Sequence, residues 1–189
     1  MAQVLKDEIR ERIFNAAIDA FYEKDYKSAS MQEIAKRAKV PVGLIYSYYK
    51  NKEEIFEKIV QPVLCQYPET LKKASDTHTF ELNVYTDIEK PFYSELFKKH
   101  RQFVILMDKS EGTKFSDAKE NMINHLEAHI HENWKEKLGP EYDDLFIHII
   151  AKSHIEGIIE IARNYKDHEW AMKLLDLLTL YAFNGRKYL

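Results

Sequence analysis

From Ser30 to Lys52 the chain reads SMQEIAKRAKVPVGLIYSYYKNK, and this stretch decides the fold. Its first four residues have the Ser-x-x-Glu pattern of a capping box, in which the serine hydroxyl accepts from an amide one turn ahead and Glu33 reaches back to the serine amide. The pattern predicts a short helix over Met31–Ala38 and, after a tight turn, a second over Pro41–Tyr49. Two short helices joined in this way are typical of a helix-turn-helix motif.

The apolar residues of this stretch predict which side of the second helix is exposed. The side chains whose spacing lets them pack together are those of Ile34, Ala35, Val40, Ile45 and Tyr49. The residues left facing outward are Val42, Gly43, Tyr46 and Ser47. An exposed glycine beside an exposed aromatic side chain favours a surface that another molecule approaches closely.

Charge is distributed unevenly along the chain. The 189 residues carry 28 Lys and Arg against 31 Asp and Glu, a net charge of -3. Between Lys24 and Lys52, seven cations stand against two anions, so this segment carries +5 and the remainder carries -8. One basic segment on an acidic protein favours a local polyanion-binding surface. On charge alone, a solvated face is the more frequent explanation of such a segment.

Composition and periodicity predict an all-α protein. Only five Gly and five Pro are present, which disfavours turn-rich β-sandwiches. The helical period recurs over 6–24, 91–100, 102–110, 115–138, 141–164 and 167–184. A further helix begins at Lys52, Pro62 and Pro68 are expected to bend or end it, and Thr79–Glu89 is helical or irregular. We expect a helix-turn-helix domain in residues 1–60 and a helical effector-binding and dimerisation domain in residues 61–189.

Several classes of protein are excluded or disfavoured. The longest segments without Asp, Glu, Lys or Arg are ten residues long, whereas a membrane-spanning helix needs about 20 apolar residues. The charged start, Met1–Ile13, predicts no signal peptide, and the lone Cys65 excludes an internal disulfide framework. No catalytic set and no glycine-rich phosphate loop emerge. We therefore expect a soluble, cytoplasmic protein that is not an enzyme, holds no cofactor and contacts no membrane.

Two segments, YKSASMQEIA from Tyr26 and VPVGLIYSYYKNKEE from Val40, resemble the DNA-binding domain of the TetR family of transcriptional regulators. The resemblance covers about residues 7–60, and its most specific part is Gly-x-x-Tyr-x-Tyr-x-Lys-Asn-Lys-Glu. It implies a homodimer that binds a palindromic double-stranded DNA operator through a recognition helix in the major groove. The DNA contacts it implies are Ser30, Met31, Lys39, Val42, Gly43, Leu44, Tyr46, Ser47, Tyr48 and Lys52.

Within the resemblance, Gly43 would let the backbone approach DNA, and Tyr48 and Lys52 would meet phosphates. The chain also departs from the family, which often has Gly at the position of Lys39, Ser or Thr at that of Pro41, Lys at that of Val42 and Thr at that of Leu44. Pro41 removes a hydroxyl cap from the start of the recognition helix. Apolar side chains at 42 and 44 favour contacts with thymine methyl groups over readout of guanine.

The last two predicted helices are apolar on more sides than one buried face requires. The resemblance implies that they form a four-helix dimer interface, and a thick monomer core is the alternative. Gly157 removes a side chain in mid-helix, which permits a close helix approach. The residues expected in the interface are Phe146, Ile150, His154, Gly157, Ile158, Ile161, Leu174, Leu177, Leu178 and Tyr181.

Aromatic and methionine side chains gather between these helices and residue 60. The resemblance implies a pocket for a small apolar or amphipathic effector there, although ordinary core is the more frequent role of such residues. The candidates are Tyr85, Phe92, Tyr93, Phe97, Phe103, Met107, Phe115 and Met122.

Two pairs of histidines are candidate metal ligands or interface residues. His125 and His129 lie four residues apart, a spacing that can bind zinc, but no third ligand is evident, so a solvated face without metal is favoured. His148 and His154 are expected at the dimer contact. The function expected is a repressor released by its ligand; the alternative is an all-α small-molecule or metal-binding protein whose helix-turn-helix is only structural.

Overall fold

The computed structural model describes residues 2–64, 67–75, 84–138 and 143–185. Its helices are α1 (Ala2–Glu23), α2 (Met31–Ala38), α3 (Val42–Ile45), α4 (Lys52–Leu64), α5 (Tyr67–Ser75), α6 (Lys90–Lys98), α7 (His100–Asp108), α8 (Ala118–Leu138), α9 (Asp144–Arg163) and α10 (His168–Gly185). A π-helical segment, Tyr85–Glu89, precedes α6. No strand occurs in these ranges, which confirms the all-α prediction. We call residues 31–45, which comprise α2, α3 and their turn, the reading head, and α5–α10 the body.

An aromatic cluster lies beneath the reading head. The Phe21 ring of α1 packs edge-on against Phe56 of α4 at 5.2 Å between centroids, and Tyr26 meets the same ring at 5.1 Å. Phe21 and Phe56 are both completely buried. Aromatic pairs of this geometry add about 0.5–1.5 kcal/mol beyond the area that they bury. The reading head therefore rests on a rigid base formed by α1 and α4.

Helix α4 continues through Pro62 and ends at Leu64, so Pro62 does not end the helix, and a bend at Pro62 stays a prediction. A proline in a helix interior removes one hydrogen bond and crowds the preceding turn. Ile59, Val60 and Val63 are buried on either side of it, and their packing keeps the last turn helical. Pro68 lies in the first turn of α5, where its missing amide costs little.

Helix α7 lies at the centre of the molecule. It packs against α1 and α4 on one side and against α6, α8 and α9 on the others. Four consecutive residues, Phe103, Val104, Ile105 and Leu106, are buried, as expected for a helix surrounded by neighbours. The central position of α7 connects the base of the reading head to the body.

Buried residues from both predicted domains belong to one hydrophobic cluster. The division at residue 60 stays a prediction. Helix α8 begins at Ala118, three residues later than expected from Phe115, because the preceding residues fold into hydrogen-bonded turns, in one of which the Ala118 amide donates to Phe115 O at 3.0 Å. Cys65, the Thr79–Asn83 part of the uncertain segment and the predicted stop at Gly139–Pro140 lie outside the described residues. Within those residues, no helix is long and apolar enough to cross a membrane.

Candidate nucleic-acid interface

The capping box at the start of α2 is formed on one side only. Ser30 has extended backbone angles, and its hydroxyl oxygen accepts from the Glu33 amide at 3.2 Å. The Glu33 carboxylate does not follow the prediction, because it accepts from Lys24 Nζ at 2.7 Å and from Arg37 at 2.8 Å. These hydrogen bonds hold the pKa of Glu33 below its usual range. Glu33 therefore joins α2 to the end of α1.

The turn of the motif is closed by Lys39 in the left-handed conformation, with φ 54° and ψ 47°. Its amide donates to Lys36 O at 3.2 Å, and the Val40 amide donates to Ala35 O at 3.0 Å. This pair of bonds is a Schellman motif, which usually has glycine at the left-handed position. Members of the family that this segment resembles often have glycine here, because glycine adopts the left-handed backbone conformation without steric cost.

Arg12 of α1 completes this turn, a role that sequence reasoning missed. Its guanidinium donates to Ala38 O at 2.6 Å and to Lys39 O at 3.3 Å. A cation at the end of a helix stabilises the last carbonyl groups. Arg12 is distant in sequence from the motif, and nothing in the motif itself indicates this partner.

The recognition helix is shorter than predicted. Regular α-helix covers only Val42–Ile45, not Pro41–Tyr49. Beyond it the chain continues in tighter turns, with Ser47 N donating to Leu44 O at 3.1 Å and Tyr48 N to Ile45 O at 2.9 Å. Bonds spanning three residues are common where short helices end. Pro41 provides no side-chain cap, as predicted.

Most of the residues predicted to face DNA are exposed. Val42 is 37% and Tyr46 53% exposed, and Gly43 and Ser47 are exposed as well. Leu44 and Tyr48 are half-buried, while Ile45 and Tyr49 lie in the core. Met31 differs from the prediction, because it is buried against the core and its side chain is not available to DNA.

Gly43 has open space around it. A Cβ atom added there would meet nothing within 4 Å. No contact within the described chain therefore requires glycine at this position.

Ion pairs reduce the positive charge near the reading head. Lys24 pairs with Glu33, Arg37 with Glu23 and Glu33, and Lys27 with Glu111. Two of these anions, Glu23 and Glu111, belong to the acidic remainder of the chain. Among the described residues, the exposed cations of the segment that make no ion pair are Lys36, Lys39 and Lys50.

Lys52 is directed inward. Its ammonium donates to Tyr26 O at 2.6 Å and to Ala29 O at 2.9 Å, and it stands 4.3 Å from the centroid of the Tyr26 ring. Burial lowers the pKa of Lys52. The group predicted to bind a phosphate is thus engaged with two carbonyl oxygens of its own chain.

Asn51 caps α4, a second role that sequence reasoning missed. Its side-chain oxygen accepts from the Glu54 amide at 2.8 Å, and the Glu54 carboxylate accepts from the Lys50 amide at 2.7 Å. The Asn-x-x-Glu spacing inside the family motif is the signal that could have found it.

The aromatic residues predicted to line a pocket are mostly packed in the core. Tyr85, Tyr93, Phe97, Phe103 and Met122 are buried, and Phe92 and Met107 are half-buried. The Phe115 ring lies 6.2 Å from Phe56 and so contacts the base of the reading head, and its place in a pocket stays a prediction. The Tyr85 hydroxyl donates to Asp176, which Lys90 also contacts at 2.8 Å.

The predicted interface residues divide into two sets. The prediction that Ile158 and Ile161 lie in the dimer interface is wrong, since both side chains are buried within their own chain. A Cβ on Gly157 would stand 2.9 Å from Leu178 Cδ2, so the close approach predicted there joins α9 to α10 of the same chain. Ile150, His154, Leu174 and Leu178 are half-buried. The exposed apolar residues of the two helices are Leu145, Phe146, Ile149, Leu177, Leu180 and Tyr181.

The histidines do not form a metal centre in the described parts of the chain, where no group of three or more potential ligands was found. His125 lies 2.5 Å from the Asn121 carbonyl oxygen, and His129 is buried, so the solvated face predicted for the pair is wrong for His129. His148 Nδ1 contacts Glu127 of α8 at 2.5 Å. Its partner is therefore in its own chain.

Exposed Val42 and Tyr46 at the second helix of a helix-turn-helix are typical of the class of DNA-binding proteins built on that motif. Residues 13–59 match the family described as bacterial regulatory proteins, tetR family. Residues 13–59 therefore form an amino-terminal domain of the tetR-family type.

Similar proteins agree with this placement. The uncharacterized HTH-type transcriptional regulator YhgD of Bacillus subtilis is 28% identical over 68% of this chain, and the match spans 66% of YhgD. The biofilm operon negative regulator IcaR of Staphylococcus epidermidis is 22% identical over 87% of this chain and 96% of its own length. A TetR-like regulator from Rhodococcus sp. RHA1 shares the fold with a TM-score of 0.60, 18% identity and coverage of 94% and 96%.

Proposed function

We propose that this protein is a cytoplasmic, homodimeric transcriptional repressor that binds a palindromic DNA operator and leaves it when a small apolar or amphipathic ligand binds the body. The observation that carries the proposal is the exposure of Val42 and Tyr46 on a short helix that a helix-turn-helix holds in place. Large apolar side chains exposed together on a protein surface are a marker of recognition sites.

Each exposed residue has a distinct part in recognition. Val42 and the half-buried Leu44 contact thymine methyl groups, while Tyr46 and Ser47 supply hydroxyl groups to base edges or phosphates. Gly43 allows the backbone to approach the duplex. The exposed Lys36, Lys39 and Lys50 contact phosphates, and because so few cations are unpaired, the affinity depends less on salt than seven cations would imply.

A second copy of the chain covers the exposed face of α9 and α10. Leu145 and Ile149 of α9 and Leu177 and Tyr181 of α10 present large apolar surfaces, with Tyr181 80% exposed. Two such helices from each copy form a four-helix contact around a twofold axis, in which the same patch serves both subunits. That symmetry places two reading heads on one duplex and requires an operator with two related half-sites.

The proposal that the protein represses transcription, and does not activate it, is supported by the match to IcaR. IcaR is named a negative transcriptional regulator and is matched over nearly its whole length. The ligand class is supported by the aromatic interior of the body, at whose edge the buried Tyr85 hydroxyl joins the partly exposed Lys90 and Asp176. Apolar pockets with a few polar anchors are typical of sites for small molecules.

The test is selection of duplexes from a random-sequence library by the full chain, followed by binding measurements over a series of salt concentrations. We expect one partly palindromic sequence to be enriched and bound by a dimer, with affinity that falls as salt rises. The Tyr46→Ala variant serves as the matched control, since it changes the exposed side chain alone. No enrichment, or binding that ignores both salt and Tyr46, would overturn the proposed function.

A further inference from the structure

The Tyr26 backbone is held at both of its polar groups. Its amide donates to the carbonyl oxygen of Lys109 at 2.9 Å, and its own carbonyl accepts from Lys52 Nζ at 2.6 Å. Its ring fills the space between, against Phe56 on one side and the Lys52 ammonium on another. One residue thus contacts the segment after α7 and the first residue of α4 at once.

The position of the Lys109 carbonyl is set from α9. Asp108, the last residue of α7, accepts from Arg163 Nε at 2.8 Å and from a terminal nitrogen of the same guanidinium at 2.7 Å. Such a two-bond pair fixes direction as well as distance. Burial tends to raise the pKa of Asp108, but Arg163 and Lys119 outweigh it and the pKa is lowered, so the pair is charged at neutral pH. Helix α9 is therefore tied to the residue that precedes Lys109.

Lys52 extends the connection to the reading head. Its ammonium also donates to the carbonyl of Ala29, which immediately precedes the Ser30 cap of α2. Lys52 is the first residue of α4, which follows the reading head in the chain, and Ala29 lies just before α2, where the reading head begins. The Lys52 ammonium therefore holds the segments on both sides of the reading head together. An inward ammonium with two carbonyl partners and a depressed pKa loses both partners if it turns outward toward a phosphate.

We propose that Tyr26 is the joint through which the body sets the orientation of the reading head, and that Lys52 is a positioning residue that locks this joint rather than a phosphate contact. The inference rests on the proposed DNA-binding function. A dimer binds both half-sites only when its two reading heads have the correct separation and angle, so the state of the joint changes DNA affinity.

The salt dependence of DNA binding separates positioning from phosphate contact. With a duplex selected by the wild-type chain, Lys52→Met should weaken binding by on the order of tenfold without changing the slope of log affinity against log salt. Lys50→Met is the matched control, because Lys50 is exposed; its loss should reduce the magnitude of the slope by about 0.9. If Lys52→Met lowers the slope as Lys50→Met does, Lys52 is a phosphate contact and the proposal is wrong.

Coupling between α9 and the joint is measured by combining variants. Arg163→Met should weaken DNA binding. The double variant Arg163→Met with Lys52→Met should have the same DNA affinity as whichever single variant binds more weakly, because both changes release the same joint. Additive losses would overturn the proposal. Thermal unfolding checks that each variant is folded, and Asp108→Asn replaces Arg163→Met if that variant does not fold.

A measurement without DNA separates failure of the joint from failure of the proposed function. Amide hydrogen exchange in residues 31–45 should accelerate in both Lys52→Met and Arg163→Met and stay unchanged in Lys50→Met. If amide exchange accelerates in both variants but no duplex is selected by the wild-type chain, the DNA-binding function is refuted and the proposed joint is still supported. Unchanged exchange in Arg163→Met would refute the joint even if the wild-type chain binds DNA.

Discussion

Tyr46 and Tyr49 both lie in the turns that follow α3, yet Tyr46 is 53% exposed and Tyr49 is 3% exposed. The two rings therefore serve different purposes, one on the surface and one in the core. Tyr46→Ala should abolish specific operator binding and change the free energy of unfolding by no more than about 0.5 kcal/mol. Binding to the selected duplex and thermal unfolding measure the two effects.

Tyr49→Ala is the matched control for that experiment. Removing a buried aromatic ring should cost about 3 kcal/mol or more of unfolding free energy. If Tyr46→Ala destabilises the protein as much as Tyr49→Ala does, Tyr46 is part of the core and its proposed role in DNA recognition is incorrect.

Gly43 offers a test of close backbone approach. Gly43→Ala introduces a methyl group that meets no protein atom, and alanine is favoured over glycine in helices by about 1 kcal/mol, so the variant should unfold at a slightly higher temperature. It should nevertheless bind the selected duplex more weakly, because the methyl group occupies the space that DNA needs. Unchanged affinity would show that the backbone at this position does not approach DNA.

Lys39 combines a strained conformation with an exposed charge. Lys39→Gly should raise the free energy of unfolding by about 0.5–1 kcal/mol, since glycine adopts the left-handed conformation without steric cost. The same change should weaken DNA binding through the loss of one cation. Lys36→Gly is the comparison: it removes a cation from the interior of α2 and should instead destabilise the protein by about 1 kcal/mol. Equal stability effects in the two variants would contradict the assignment.

The dimer face predicts opposite outcomes for two charged substitutions. Leu177→Glu places a carboxylate on a side chain that is 54% exposed and should yield a folded monomer with weak DNA binding. Ile158→Glu places one in the core and should unfold the chain, because an unpaired buried charge is strongly destabilising. Size-exclusion chromatography with light scattering distinguishes them, and an intact Leu177→Glu dimer would exclude this face.

His100 predicts a pH dependence of stability. Its ring is stacked on Tyr165 at 3.9 Å, and burial holds the pKa of His100 below the usual 6.5. As pH falls through the unfolded value of about 6.5, the unfolded chain binds the proton first, so this group lowers the stability of the folded protein between that value and its depressed folded pKa.

His100→Phe keeps a ring against Tyr165 and removes the titration. Denaturant unfolding of both proteins between about pH 7.5 and pH 5 should show the wild-type chain losing more stability than the variant as the medium is acidified. Parallel losses would show that His100 does not contribute.

Local signals in the sequence predicted the cap of α2, the turn of the reading head and the exposure pattern of its second helix, but not the length of that helix. Ser30, the turn before Pro41 and the alternation of buried and exposed residues depend on interactions within a few residues, so a short stretch contains them. The exposure of Tyr46 and the burial of Ile45 follow from the same local pattern.

Interactions between distant segments were not predictable in this way. Ile158 lies on a helix that is apolar on several sides, and periodicity alone does not distinguish the side that faces its own chain from the side that faces a partner. The same limit applies to Lys52, whose carbonyl partners lie more than twenty residues away, at positions 26 and 29. The resemblance implies a phosphate contact for Lys52, and its partners within the fold leave no signal in the sequence.

Arg12 immediately precedes the segment that matches the tetR family, and its guanidinium ties α1 to the carbonyl groups of Ala38 and Lys39. An isolated fragment that begins at the family boundary would lack this arginine and expose those carbonyls at the turn on which the orientation of α3 depends. Any transfer of this DNA specificity to another protein, by exchanging domains between relatives, therefore has to carry the middle of α1 with it.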